Sequence, residues 1–220
     1  MFITPSPVFD ASVSGGAANL GNLPEWDLND LYQGTDDPKI DQDLAWLESE
    51  CAAFAADYEG KLAELSADDM LTCIQRNEKI STVAGRIMSF AGLRYYQLTT
   101  DGERTKFLSD AQEKITVFTT PLVFFTLELN RLSEEALTAL FDANADLARY
   151  RPAIRRIRAL EPYQLSDELE KFLHDLGAVG DAWEKLFDET IAGLTFDIEG
   201  EDLNIEATLN LLTEQDRSKR

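Results

Sequence analysis

Residues 38–60 read PKIDQDLAWLESECAAFAADYEG and decide the fold class of the chain. Their apolar residues recur at steps of three and four, which places them on one face of an α-helix. Pro38 suits the first turn after the cap signal Thr35-Asp36-Asp37, and Gly60 stands where a left-handed residue would end the helix. The stretch therefore predicts a long helix with one continuous apolar stripe. The stripe consists of Ile40, Leu44, Leu47, Cys51, Phe54 and Tyr58.

Further helical patterns, several opened by a capping signal, follow along most of the chain. A short stretch before the first helix, 23–32, is too short and irregular to form a stable helix alone and is expected to dock on another element. We predict antiparallel helices over these segments: 66–97 in two pieces, a helix from Thr100 kinked at Pro121, a helix opened by Ser133, and helices over 146–160, 166–176 (ended by Gly177) and 181–191.

The period of the apolar residues changes from 3.6 to 2 near the end of the chain. Residues 194–198 alternate, 199–202 carry turn chemistry, and 203–205 resume the alternation, which predicts one hairpin. A lone hairpin is marginal in water, so these strands need a partner surface. Thr213 and Asp216 form a capping signal so close to Arg220 that a truncated helix is expected. The predicted fold is mainly α, an antiparallel helical bundle or array with one small β-hairpin near the C-terminus.

Charge and composition exclude several classes of function. The 220 residues carry a net charge of -21, which disfavours binding to nucleic acids and to anionic membrane surfaces. The longest nearly uncharged stretch, 115–127, is shorter than the roughly 20 residues of a membrane span and predicts a buried helix. Residues 1–22 lack the pattern of a signal peptide and are expected to be a flexible leader. The two cysteines, Cys51 and Cys73, fit a reducing compartment.

Histidine and cysteine, which serve as zinc ligands and in nucleophilic catalysis, are scarce. The chain has one histidine, His174, so it cannot form the pair of histidines that an H-E-x-x-H zinc site requires. His174 is interpreted as a helix-surface or interface residue, and no Gly-rich phosphate loop of standard spacing occurs. We therefore predict no catalytic residue, no metal ligand and no cofactor in this chain.

Two clusters remain as candidate contacts. Five arginines lie within 149–158, and Arg155 and Arg156 are candidates for gripping a carboxylate such as a peptide C-terminus. The favoured alternative is an intrachain salt-bridge face. Tyr95 and Tyr96 are candidates for lining a groove, although at helical spacing such residues more often belong to the core with a wet hydroxyl.

Several stretches resemble oligoendopeptidase F, a zinc metallopeptidase of the thimet oligopeptidase superfamily. The opening WDLNDLY at 26–32 and its spacing to YEGKL at 58–62 carry the most specific part of the likeness, which covers about 23–220. The other matching stretches are Asp36-Asp37-Pro38, 124–129, 165–173 and 209–220.

The resemblance implies a larger parent enzyme, cytoplasmic, that hydrolyses short peptides inside a deep channel. It implies a helical N-terminal domain over 23–192 that forms one channel wall, followed at 193–220 by the hairpin and the start of a truncated catalytic domain. The implied partners are the C-terminal catalytic half and short peptide substrates, and the zinc belongs to the parent. The rival hypothesis is a self-standing acidic helical scaffold that binds partner proteins.

Overall fold

The structure, a computed structural model, describes residues 26–215 and Arg217. Within this range the fold is mainly α with one small antiparallel hairpin, as predicted. The predicted leader (1–22) and Asp216 of the last capping signal lie outside the described residues. The elements are α1 Pro38–Tyr58, α2 Ala67–Gln97, α3 Gly102–Thr119, α4 Val123–Arg131, α5 Glu134–Ala143, α6 Ala145–Ala148, α7 Arg151–Arg158, α8 Asp167–Gly193, β1 Thr195–Ile198, β2 Glu201–Asn204 and α9 Ile205–Asn210, with short 3-10 turns at Leu62–Glu64, Thr120–Leu122, Glu161–Tyr163 and Leu211–Thr213.

Helix α1 forms as its sequence predicts. The Asp37 side chain accepts a hydrogen bond from the backbone N–H of Lys39 (2.9 Å), and Pro38 occupies the first turn. Gly60 follows the helix at φ +79°, a conformation that favours glycine. Five of the six predicted stripe residues are buried, and Tyr58 is half-buried. The stripe packs against α2 and α3, and this layer forms the core.

The stretch before α1 docks on that layer through a buried aromatic anchor. Tyr32 is 2% exposed, and its hydroxyl donates to Asp43 Oδ2 of α1 (2.7 Å). Arg86 of α2 donates to the same carboxylate oxygen (2.7 Å) and to the Tyr32 hydroxyl (3.1 Å). These bonds satisfy the polar groups that burial of Tyr32 removes from water. Trp26, by contrast, is 73% exposed.

Glycine and proline act differently on the predicted helix boundaries. The predicted break at Gly177 is wrong, because α8 continues through it for 27 residues, and α2 is likewise one helix of 31 residues. An interior glycine lowers helix stability by only about 1 kcal/mol, which is less than the stabilisation that the contacts of a long helix provide. The predicted segment 146–160 instead divides into α6 and α7, with Pro152 in the first turn of α7. Proline cannot donate the backbone hydrogen bond that a continuous helix would need there.

Two other local predictions need correction. Helix α3 is capped by Asp101, not Thr100, since the Asp101 carboxylate accepts from the N–H groups of Glu103 (2.9 Å) and Arg104 (3.2 Å). Pro121 lies in the 3-10 turn that separates α3 from α4, as the predicted kink requires. The stretch 115–127 is buried mainly in its second half, because Val117 is 62% exposed.

The hairpin has the predicted register and turn. Phe196 pairs with Leu203, and Glu199 (φ +56°) and Gly200 (φ +88°) form the tight turn between the strands. Ile205 does not extend β2, because the Asn204 side chain accepts from the N–H of Ala207 (2.8 Å) and starts α9. The hairpin packs against α9.

Both cysteine side chains lie in the core and are expected to be unreactive in the folded chain. Cys51 and Cys73 are each 0% exposed. Burial raises the pKa of the Cys51 thiol to about 11 and that of Cys73 to about 12, so the reactive thiolate is scarce at neutral pH. At pH 8, Ellman's reagent should modify the native chain at least about a thousandfold more slowly than the guanidinium-unfolded chain, because reaction requires local unfolding. Rapid modification of either thiol in the native chain would contradict the core packing.

A membrane-spanning helix is not found in the part of the chain that the structure describes.

Candidate docking surface

Helix α8 exposes its apolar face. Eight of its large apolar side chains are between 42% and 68% exposed, and none of its described residues is buried. They recur at steps of one, three and four residues and therefore share one side of the helix. We call this set the α8 apolar face. It consists of Leu169, Phe172, Leu173, Leu176, Val179, Trp183, Leu186 and Phe187.

The polar side of α8 faces α3, and its C-terminal half is attached there by hydrogen bonds. The ammonium group of Lys185 donates to Ser109 Oγ (3.1 Å) and to Gln112 Oε1. Gln112 in turn donates from Nε2 to Asp181 Oδ2 (2.9 Å). Burial lowers the pKa of Lys185, opposed by the nearby carboxylates of Asp181 and Glu189.

The N-terminal half of α8 is attached by polar contacts on the same side. Thr119 Oγ1 lies 3.2 Å from His174 Nε2, and the Thr120 hydroxyl donates to Asp175 Oδ1 (2.6 Å). Lys171 forms an ion pair with Glu59 (3.6 Å). Contacts spread from Lys171 to Lys185 fix the rotation of the helix, so the apolar face points away from α3. Leu173, at the edge of this face, also lines a pocket with residues of α2 and α4.

An exposed apolar face of this extent calls for a partner. Soluble monomers rarely expose contiguous apolar patches above a few hundred Å², and larger ones mark interaction sites. Each large apolar side chain contributes about 1.5–3 kcal/mol when fully buried. The chain that follows α8 has the same character, since Leu194 and Phe196 are each 38% exposed, Leu209 is 51% exposed and Leu212 is 59% exposed. We define the docking surface as the α8 apolar face together with these four residues.

The predicted interface residue His174 lies on the inner side of α8. It lines a pocket of about 620 Å³ together with residues of α2 and α4, such as Ser81 and Phe125. The ring of His174 also contacts the Thr119 hydroxyl. His174 therefore positions α8 and does not face a second histidine, since the chain has only one.

Tyr95 and Tyr96 point in different directions. Tyr95 is 1% exposed, and its hydroxyl is buried without a hydrogen-bond partner among the described residues. Tyr96 is 69% exposed and stacks edge-on against Tyr95 at a centroid distance of 5.2 Å. The geometry thus offers only Tyr96 to solvent, and the role of both as groove contacts stays a prediction.

The arginine cluster divides into paired and unpaired members. Arg149 lies 3.9 Å from Asp146, Arg151 3.7 Å from Asp142, and Arg158 3.1 Å from Glu134. Within the described chain Arg155 and Arg156 form no ion pair. The favoured interpretation, an intrachain salt-bridge face, therefore fits three of the five arginines. The other two, Arg155 and Arg156, are the residues predicted as candidate carboxylate contacts.

The described residues do not fit a zinc centre. No group of three or more His, Cys, Asp or Glu side chains in the described ranges is arranged to hold a metal ion. The two cysteines lie in the core, and the lone histidine contacts a threonine.

Two comparisons bear on the origin of this fold. Residues 128–196 match the family model described as Oligopeptidase F (Peptidase_M3_N). The crystal structure of oligoendopeptidase-F from Enterococcus faecium matches with a TM-score of 0.72 at 21% sequence identity, over 84% of this chain and 36% of that chain. The chain thus spans about a third of that solved chain. No curated protein matches the sequence.

Proposed function

We propose that the chain is the N-terminal, non-catalytic portion of a zinc metallopeptidase like oligoendopeptidase F. Residues 128–196 match the oligopeptidase F family model, and the fold is that of one part of an oligoendopeptidase-F. These two findings confirm the predicted resemblance to the N-terminal portion of that enzyme. In this proposal the longer protein hydrolyses short peptides in the cytoplasm. The docking surface packs against its C-terminal catalytic half, and the helices form a wall that limits access to the substrate channel.

The orientation of α8 carries the proposal. A helix that turns its polar side to its own domain and its apolar face to solvent is suited to lie between two bodies. The family match runs from Glu128 in α4 to Phe196 in β1 and so contains the whole of α8. The remaining two-thirds of the matched solved chain supplies enough polypeptide for a second body on that face.

The zinc of the proposed enzyme belongs to the catalytic half. The residues described here contribute helices and a docking surface, and no step of peptide hydrolysis is assigned to them. Packing of long helices such as α1 and α2 gives a rigid wall, which suits a part that would exclude folded proteins while admitting flexible peptides.

The test is to read the encoding gene beyond codon 220. We expect an open reading frame that continues into a segment containing H-E-x-x-H. A stop codon directly after codon 220 would overturn the proposal and favour the rival, an acidic scaffold that uses the same apolar face to bind a separate protein.

A further inference from the structure

We propose that helices α5 and α7 form a carboxylate-binding pocket in which Arg155 and Arg151 bind the anion. The two helices enclose a pocket of about 190 Å³. Its lining residues are Glu134, Leu137, Thr138 and Phe141 from α5, and Arg151, Ile154, Arg155 and Arg158 from α7. Three arginines and one glutamate are among these residues, so the pocket carries positive charge on a chain of net charge -21.

The floor of the pocket is rigid and apolar. Leu137 (3% exposed), Phe141 (6%) and Ile154 (3%) belong to the core. The Arg151 guanidinium lies 4.9 Å from the centroid of the Phe141 ring, and this cation–π contact holds it against one wall. An anion here would contact arginines above a low-dielectric floor, where charge interactions are stronger than in bulk water.

The Arg158 guanidinium already forms hydrogen bonds within the fold. It also pairs with Glu134, so this carboxylate does not compete with a ligand for the other arginines. Its Nη1 donates to the carbonyls of Leu129 (2.8 Å) and Asn130 (3.0 Å). Its Nε and Nη2 donate to Glu134 Oε1 (3.3 and 3.1 Å). Arg158 therefore anchors α7, and the charge of Glu134 is already matched.

Arg151 and Arg155 keep donors free for a ligand. Arg151 has only a loose ion pair, at 3.7 Å, with the exposed Asp142. Arg155 has none within the described chain and is solvent-exposed. The two residues stand one helical turn apart on a helix of eight residues, where like charges at this spacing repel. A carboxylate between them would relieve the repulsion and accept paired hydrogen bonds from guanidinium.

The size and charge of the pocket indicate a monovalent carboxylate. Glu134 is paired with Arg158, which leaves Arg151 and Arg155 as the cations available to a ligand, and the planar fork of a guanidinium matches a planar carboxylate. The carrier that we infer is a short peptide, presenting either its C-terminal carboxylate or an acidic side chain. The choice of a peptide rests on the proposed function, whereas the carboxylate chemistry does not.

Binding to the 220-residue chain, measured by isothermal titration at low ionic strength, tests the pocket independently of peptidase activity. Three probes separate the sources of the carboxylate: N-acetyl-trialanine with a free C-terminus, the same peptide amidated, and amidated N-acetyl-Ala-Glu-Ala. We expect one or both carboxylate peptides to bind at least about tenfold more tightly than the amidated trialanine, as expected for charge-assisted hydrogen bonds. Equal binding of all three, or binding of none, would overturn the proposal.

Two arginine variants locate the site. Arg155→Gln should weaken binding of the carboxylate peptide about tenfold or more, because it removes a pocket guanidinium. Arg156→Gln is the matched control, with the same charge change, on the same last turn of α7, and outside the pocket lining. It should change binding less than about twofold, since only long-range charge is altered. Far-UV circular dichroism confirms that both variants fold, and equal losses in both would show that the effect is only net charge.

Discussion

Purified residues 1–220 are expected to retain no stoichiometric zinc and to leave a quenched fluorescent peptide uncut, whereas the longer protein that we propose should bind zinc and cut the peptide. A catalytic zinc of this class needs two histidines one turn apart on a helix, a glutamate between them and a further protein ligand. The chain contains one histidine. The difference in activity should therefore be all or none, and it is measured by metal analysis after dialysis together with the fluorescence assay.

His174→Ala is the control for this prediction. His174 contacts the Thr119 hydroxyl on the inner side of α8, so its replacement should leave the zinc content of the isolated chain at zero. One zinc per chain that survives dialysis and disappears in the His174→Ala variant would mean that a metal site exists within these residues.

The helices with an inward apolar stripe were the most predictable part of the fold. In α1 the predicted stripe, the capping aspartate and the terminal glycine all agree with the structure. Local propensity, capping and burial favour the same conformation there, which is the condition under which sequence patterns are reliable. The hairpin was predictable for the same reason, because an alternating pattern flanks a turn that contains Gly200, a residue that tolerates positive φ.

Helix lengths were less predictable, because glycine weakens a helix without ending it. Gly177 and Gly180 both lie inside α8, and the apolar residues on either side of them keep the same phase. Together the two glycines cost about 2 kcal/mol of helix stability, which is less than the stabilisation from the contacts that the continuous helix makes. Pro152 had the stronger effect, since it removes a hydrogen-bond donor and ends the shorter helix before it.

The orientation of α8 could not be predicted from its sequence. An amphipathic pattern states which residues share a face, and the usual assumption turns the apolar face toward the core. Here the polar face is turned inward because Lys185, Asp181 and Asp175 find partners on and just after α3. Those partners are far away in the chain, so no local pattern reports them. The position of Arg155 beside α5 depends in the same way on tertiary packing.

Trp183→Asp is expected to destabilise the longer protein strongly and the isolated chain hardly at all. Trp183 is 68% exposed in this chain, so a polar replacement removes little packing from it. If the face is covered in the longer protein, the change places a charge in an apolar interface and loses the burial of a large aromatic side chain, about 1.5–3 kcal/mol or more. Phe196 in the hairpin is 38% exposed. Its replacement, Phe196→Asp, should also destabilise the longer protein more than the isolated chain, but by a smaller difference.

Phe54→Ala provides the matched core control. Phe54 is 0% exposed within the helical layer and contacts the rings of Phe124 and Phe125. Its truncation leaves a cavity that costs about 3–5 kcal/mol wherever the domain is folded. It should therefore lower the stability of this domain in the isolated chain and in the longer protein alike.

The midpoint of thermal unfolding of Trp183→Asp, measured in both proteins beside the wild-type forms, tests the role of α8 most directly. We expect a change within about 2 °C in the isolated chain and a loss of more than about 5 °C in the longer protein. Small and equal changes in both would show that nothing covers the α8 apolar face, and would contradict its assignment as the docking surface for the catalytic half.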